Sequence, residues 1–141
     1  MANKKYRLTQ HTIRAHGVTL YRIEALTDFA TITAGTLGGF VESEYNLSHE
    51  GECWIAQNAK ALGSSRVSDN AWLMDKAELR DNAQLSDIAM LFENARAFKN
   101  AQICEDVQIY GSTAVGGNLI VKRHARIGSN EELMDHIRSC L

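Results

Sequence analysis

Residues 58–129 read NAKALG SSRVSD NAWLMD KAELRD NAQLSD IAMLFE NARAFK NAQICE DVQIYG STAVGG NLIVKR HARIGS, twelve consecutive hexads without an insertion. ECWIAQ, residues 52–57, adds a thirteenth in front. Across the twelve, position two is small or β-branched except at Leu119, and position four is aliphatic throughout, from Ala61 to Ile127. Six residues advance an α-helix by about 600°, which throws each repeat about 120° out of register. In a strand, by contrast, positions two and four face the same side. Short strands separated by turns therefore wind into a parallel β-solenoid, three hexads to a triangular coil. Position four fills the flat inner walls and position two the corners where the walls converge. Residues 52–129 make about four coils of this kind.

Outside the repeat, composition excludes more than it indicates. The chain has 141 residues, 45% hydrophobic and 23% charged, with a net charge of -2 and no proline. That length suits one core-bearing unit. Fifteen basic against seventeen acidic residues give no overall attraction to nucleic acid or to an anionic membrane. The opening MANKKYRLTQ lacks the apolar core of a signal peptide, and no stretch is apolar enough for a membrane helix. Cys53, Cys104 and Cys140 are unrelated in spacing and include no CxxC pair, so neither a disulfide framework nor a zinc ribbon is indicated. These readings point to a soluble protein of the reducing cytoplasm. Average usage would supply about 5% proline; its absence fits a backbone whose amides are nearly all engaged.

The stretch before the repeat carries a more specific signature. YRIEALTDF (residues 21–29) and AGTLGGFVESEYNLSHEGECWI (residues 34–55), together with the hexads, resemble the YdcK-like hexapeptide-repeat proteins of enterobacteria and their prophages. The resemblance implies an all-β, left-handed parallel β-helix, and self-association, since hexapeptide β-helices often trimerise. It also brings a transferase label by fold analogy, with no catalytic motif to carry over.

The two ends read as caps. In residues 1–51, the β-rich runs 6–14 and 18–26 flank Ala15-His16-Gly17 as a hairpin. Gly35, Gly38 and Gly39 then lead the chain onto the coils of residues 52–129. In residues 130–141 a short helix starts at Ser129 or Asn130, with Glu131 and Glu132 in its first turn. Leu133, Ile137 and Leu141 form its apolar stripe over the last coil.

Stacking by eighteen residues places side chains on the outside. One face collects Trp72, Met74, Met90, Phe92 and Tyr110, with Gln108 among them. A contiguous apolar patch of this kind marks a protein interface, with a second copy in a dimer or trimer or with another protein, unless a chain end folds over it. Leu62 and Phe98 add a smaller apolar spot. At the sixth positions, Asp69, Asp87 and Glu105 share one corner column, and Asp75 and Glu93 another. These carboxylates are either turn residues or a charge ladder imitating a phosphate backbone, as a phage-encoded inhibitor of a host defence or nucleic-acid-binding protein would use. Lys122, Arg123, His124 and Arg126 form a small basic pole, and Asn82, Asn100 and Asn118 a column assigned to structure.

Catalysis has little support. An acyl-CoA-dependent acyltransferase of this fold uses a histidine near a loop that interrupts the hexads, and no loop interrupts them here. His11, His16, His49, His124 and His136 are scattered, with Glu42 and Glu44 as possible orienting partners for His49. No pair of histidines shows metal-ligand spacing. The expectation is therefore a non-catalytic module of phage or prophage origin. It uses no cofactor or metal and binds protein, not nucleic acid or membrane, through its apolar face.

Overall fold

The computed structural model describes residues 4–140. Its repeat is the expected parallel β-solenoid. The strands occupy positions three and four of each hexad, and their position-four side chains, from Ile55 to Ile127, are buried. One face stacks Trp54–Ile55, Trp72–Leu73, Met90–Leu91, Val107–Ile109 and Ala125–Ile127. A second stacks Arg66–Val67, Gln84–Leu85, Gln102–Ile103 and Ile120–Val121, and the third Lys60–Ala61, Glu78–Leu79, Arg96–Ala97 and Ala114–Val115. Partners such as Met90 and Trp72, or Gln102 and Gln84, stand eighteen residues apart. The polar exceptions at position two are satisfied in the corner itself. Ser65 Oγ donates to Leu62 O at 2.8 Å, and Thr113 Oγ1 to Tyr110 O at 2.8 Å.

The corner is set by position six. In twelve of the thirteen hexads this residue has positive φ, between 54° and 68°. Nine of the twelve are not glycine, although a side chain makes that region unfavourable and Asp and Asn are among the few residues that tolerate it. Across most of these turns, the position-two amide donates to the position-five carbonyl three residues back, as from Ala71 N to Ser68 O at 3.2 Å. At the thirteenth corner Ser129 is extended, with φ -154°, and the solenoid stops. Its hydroxyl accepts from Glu132 N and caps helix α1, Asn130–Ser139. Leu133 is buried against the last coil and Ile137 packs beside it; Leu141 lies outside the described residues.

The solenoid has about five turns, where the hexads alone counted about four. Strand β3, Leu37–Val41, stacks parallel on Lys60–Ala61, pairing Phe40 with Lys60 and Val41 with Ala61. Leu47 likewise bridges Val67. These separations are twenty residues, whereas Trp54 and Trp72 are eighteen apart. Two extra residues between Leu47 and Trp54 slip the hexad phase and conceal the first coil from a six-residue count. The irregular corner is plugged by Asn46, which is buried. Its Oδ1 accepts from the amides of Glu42 and Ser43, while Nδ2 donates to Gly63 O and Ser65 O.

Ahead of β3, strands β1 (Tyr6–Ala15) and β2 (Val18–Ala25) form the expected hairpin. It turns on His16 and Gly17, both at positive φ, the backbone that matches strand twist in a two-residue turn. β2 pairs antiparallel with β3, so the hairpin continues the third face beyond the first coil. It covers in two directions. Tyr6 and Ile23 join the interior with Leu47 and Trp54, while Leu20 packs on Phe40 and Leu62 outside.

Position six sets a ranking of two substitutions at Asp87, at φ 59°. Asp87→Gly relieves the backbone but loses a side-chain hydrogen bond worth about 1 kcal/mol. Asp87→Val adds the conformational cost of a β-branched residue at positive φ, about 1–3 kcal/mol more. Urea unfolding should rank wild type above the glycine variant and the valine variant last.

Candidate functional site

The apolar side chains expected on one face are brought together there. Trp72 and Met90 are register partners, as are Met90 and Gln108. Phe92 and Tyr110 stack with ring centroids 5.4 Å apart and planes 16° from parallel. Trp72, Met74, Met90, Phe92 and Tyr110 are all half-buried. Gly128 gives Tyr110 its seat: a Cβ there would stand 2.5 Å from the Tyr110 ring. Arg126 lies over the same ring at 5.6 Å, and Trp72 Nε1 donates to Glu52 O at 3.1 Å.

Trp54, the first member of this column, was not picked out from the sequence, although the eighteen-residue step places it below Trp72. It is 1% exposed. Phe29 meets it edge-on at 5.3 Å and Tyr6 at 6.5 Å. The N-terminal segment therefore covers the first rung of the face and leaves the later rungs accessible. The smaller spot is also occupied: Leu62 is under Leu20, and Phe98 lies on Gly116 with Arg80 over its ring at 5.1 Å.

The acidic corner residues make a repeated contact. Asp69 Oδ2 accepts from Asp87 N at 3.0 Å, and Asp87 Oδ2 accepts from Glu105 N at 2.7 Å. Glu105 in turn accepts from Arg123 N. In the next column Asp75 Oδ2 accepts from Glu93 N at 2.9 Å, and Gln57 Oε1 accepts from Asp75 N at 2.8 Å. Each such side chain holds the turn amide one coil further on. The asparagine column is exposed and bonded along itself: Asn82 Nδ2 donates to Asn100 Oδ1 at 3.2 Å, and Asn100 Nδ2 to Asn118 Oδ1 at 3.0 Å.

Among the described residues, three of the five histidines are paired with carboxylates. His124 Nδ1 donates to Asp106 Oδ2 at 2.6 Å, which holds the Asp106 carboxyl below its usual range and leaves His124 Nε2 free. This exposed dyad also follows the eighteen-residue step. His16 meets Glu78 at 2.7 Å and fastens the hairpin tip to the third face. His49 Nδ1 accepts from Lys5 N, so its Nε2 carries the proton and donates to Glu44 Oε1 at 3.0 Å. Of the two acids expected near His49, Glu44 is the partner. Its carboxyl is held low chiefly by the hydrogen bond from Lys4, and its Lys4 and His49 partners converge beside Tyr6.

No protein-family model matches the chain. A 76-residue stretch is 40% identical to a protein of Escherichia coli (strain K12) named "Uncharacterized acetyltransferase YdcK". The match takes in 48% of this chain and 23% of that protein, so the chain spans well under two thirds of its relative. Together with the solenoid, this likeness fits a hexapeptide-repeat protein. Among the described residues, no group of three His, Cys, Asp or Glu side chains could hold a metal ion, and no helix is long and apolar enough to cross a membrane.

The Asp106–His124 pair has a defined pH signature. A carboxyl held low in the folded state contributes above its unfolded pKa, and that contribution is lost as pH falls through the folded value. His124→Ala should return the Asp106 carboxyl towards the ordinary range, as read by NMR titration. An unchanged Asp106 titration would mean that His124 is not what holds it low.

Proposed function

We propose that this chain is a non-catalytic β-solenoid module that associates with protein through its Trp72, Met74, Met90, Phe92 and Tyr110 face, first of all with a second copy of itself. The supporting observation is the uneven cover of that face. Trp54, at the first rung, is sealed by Phe29 and Tyr6, while the next rungs leave aromatic and methionine side chains only half-buried. Large, flat side chains that are already ordered lose little freedom on docking, which suits them to the centre of an interface. The prophage setting rests on the family resemblance, and the cytoplasmic one on three cysteines that are free thiols.

Light scattering over a concentration series tests this reading. Wild type should form dimers or trimers, and Trp72→Glu with Phe92→Glu should fall to the mass of one chain with its cooperative melt retained. A wild-type monomer at high concentration, or an unchanged mass in the variant, would remove the face from the assembly. The acidic corners support the inhibitor alternative less, since their carboxylates already hold turn amides. Asn and Gln keep the acceptor oxygen and remove the charge, so Asp69→Asn, Asp87→Asn and Glu105→Gln separate the two roles: retained inhibition of a partner protein would exclude charge mimicry.

A second reading is acyl transfer, favoured by the relative's name and by the Asp106–His124 dyad. An oriented imidazole with a free Nε2 has the arrangement of a general base. Millimolar acetyl-CoA should raise the melting temperature if a site for it exists; no shift would leave the binding module as the function.

A further inference from the structure

The mouth of the first coil holds a lysine amine and a cysteine thiol in contact, both of them buried. Among the described residues no strand lies below Trp54–Ile55 on its face, so the carbonyls that a preceding coil would bond need another donor. Lys5 supplies it. The residue is only 5% exposed, and its Nζ donates to Cys53 O at 2.6 Å and to Gly51 O at 3.3 Å. The same nitrogen lies 3.3 Å from Cys53 Sγ, and the Phe29 ring covers it at 4.9 Å. The backbone is anchored on both sides, with Lys5 N on His49 Nδ1 and Tyr6 OH donating to Leu47 O. No carboxylate forms an ion pair with Lys5 among the described residues.

This is an unusual setting for a lysine. Burial pushes its amine below the ordinary value and pushes the Cys53 thiol up, so both groups are biased towards their neutral, nucleophilic-amine and protonated-thiol forms. The other atoms near Cys53 Sγ are the carbonyl oxygens of Ser48, Glu50 and Val67. Among the described residues, the amine nitrogen against the sulfur is Lys5 Nζ.

We propose that Lys5 and Cys53 form an oxidant-responsive covalent clasp between the N-terminal strand and the first coil, with hydrogen peroxide as the oxidant. The thiol passes its proton to Lys5 Nζ, and the thiolate attacks peroxide. The O–O bond breaks, an S–O bond forms, and the departing hydroxide takes the proton from Nζ and leaves as water. The neutral amine then attacks the sulfenic acid. An S–N bond forms, the S–O bond breaks, and the hydroxyl leaves with one amine hydrogen as a second water. Sulfur loses two electrons, one peroxide is reduced, and the protein is two hydrogens lighter. A thiol reductant reverses the link by attack at sulfur.

The test uses the full chain carrying Cys104→Ser and Cys140→Ser, so that no intramolecular disulfide can form. After peroxide, intact mass should show the loss of two hydrogens, and peptide mapping should join Lys5 to Cys53. Dithiothreitol should restore the starting mass, and the linked form should melt at a higher temperature because the closed chain is constrained. Lys5→Arg keeps a donor for the two carbonyls, but its guanidinium stays protonated and cannot attack sulfur; it should melt cooperatively and form no link. Cys53 gaining only oxygen atoms with Lys5 free, Cys53 remaining unmodified, or the same product in the arginine variant would each overturn the clasp.

Discussion

Twelve of the thirteen hexad corners depend on one backbone constraint, a residue at positive φ, and in most of them its amide takes an acceptor from the coil before it. The hexads meet both demands with the same side chain. Asp tolerates the left-handed region better than most residues, and its carboxylate reaches the corresponding amide eighteen residues on, as Asp69 does for Asp87 and Asp75 for Glu93. The corner residue is therefore chosen twice, for its own dihedral and for the amide above it. Gly63, Gly111 and Gly117 answer only the first demand. Gly63 N is instead held by Glu42 Oε1 from the irregular first coil.

The same constraint accounts for the missing proline. Position-one amides bond the next coil, as Asn58 N does Asp75 O; position-two amides close the turn; positions three and five bond the next coil again. Position six has a φ of the opposite sign to proline's. A proline in a regular hexad would thus remove a donor in use or demand a backbone that the corner excludes. With the interior filled by the side chains of positions two and four and the corner set by position six, the side chains at positions one, three and five are left free to vary outside. Polar, aromatic and small residues at these places then distinguish the three faces.

Different parts of the site were legible to different degrees. The Phe92–Tyr110 stack and the Trp72–Met90 pair follow from counting eighteen residues, and the same count reaches Trp54 and the Asp106–His124 dyad. The asparagine column has the structural role expected of it, bonded along itself, and it lies exposed because position one projects outward from the turn. The first coil was not legible at six-residue resolution. Two extra residues after Leu47 shift its phase, and its core is completed by Tyr6, Ile23 and Asn46 from segments without a repeat.

By itself the sequence determined the solenoid, its strand positions, its eighteen-residue stacking and its two end structures. These are local or periodic properties: alternation sets which side is buried, and a fixed repeat sets which residues stack. Only the tertiary structure decided which outward residues are covered. Trp54 and Trp72 occupy equivalent places, yet one is sealed beneath Phe29 and the other is only half-buried. That difference, like the approach of Lys5 to Cys53, arises where a non-repeating segment folds back over the repeat, and contacts between distant segments leave no period in the chain.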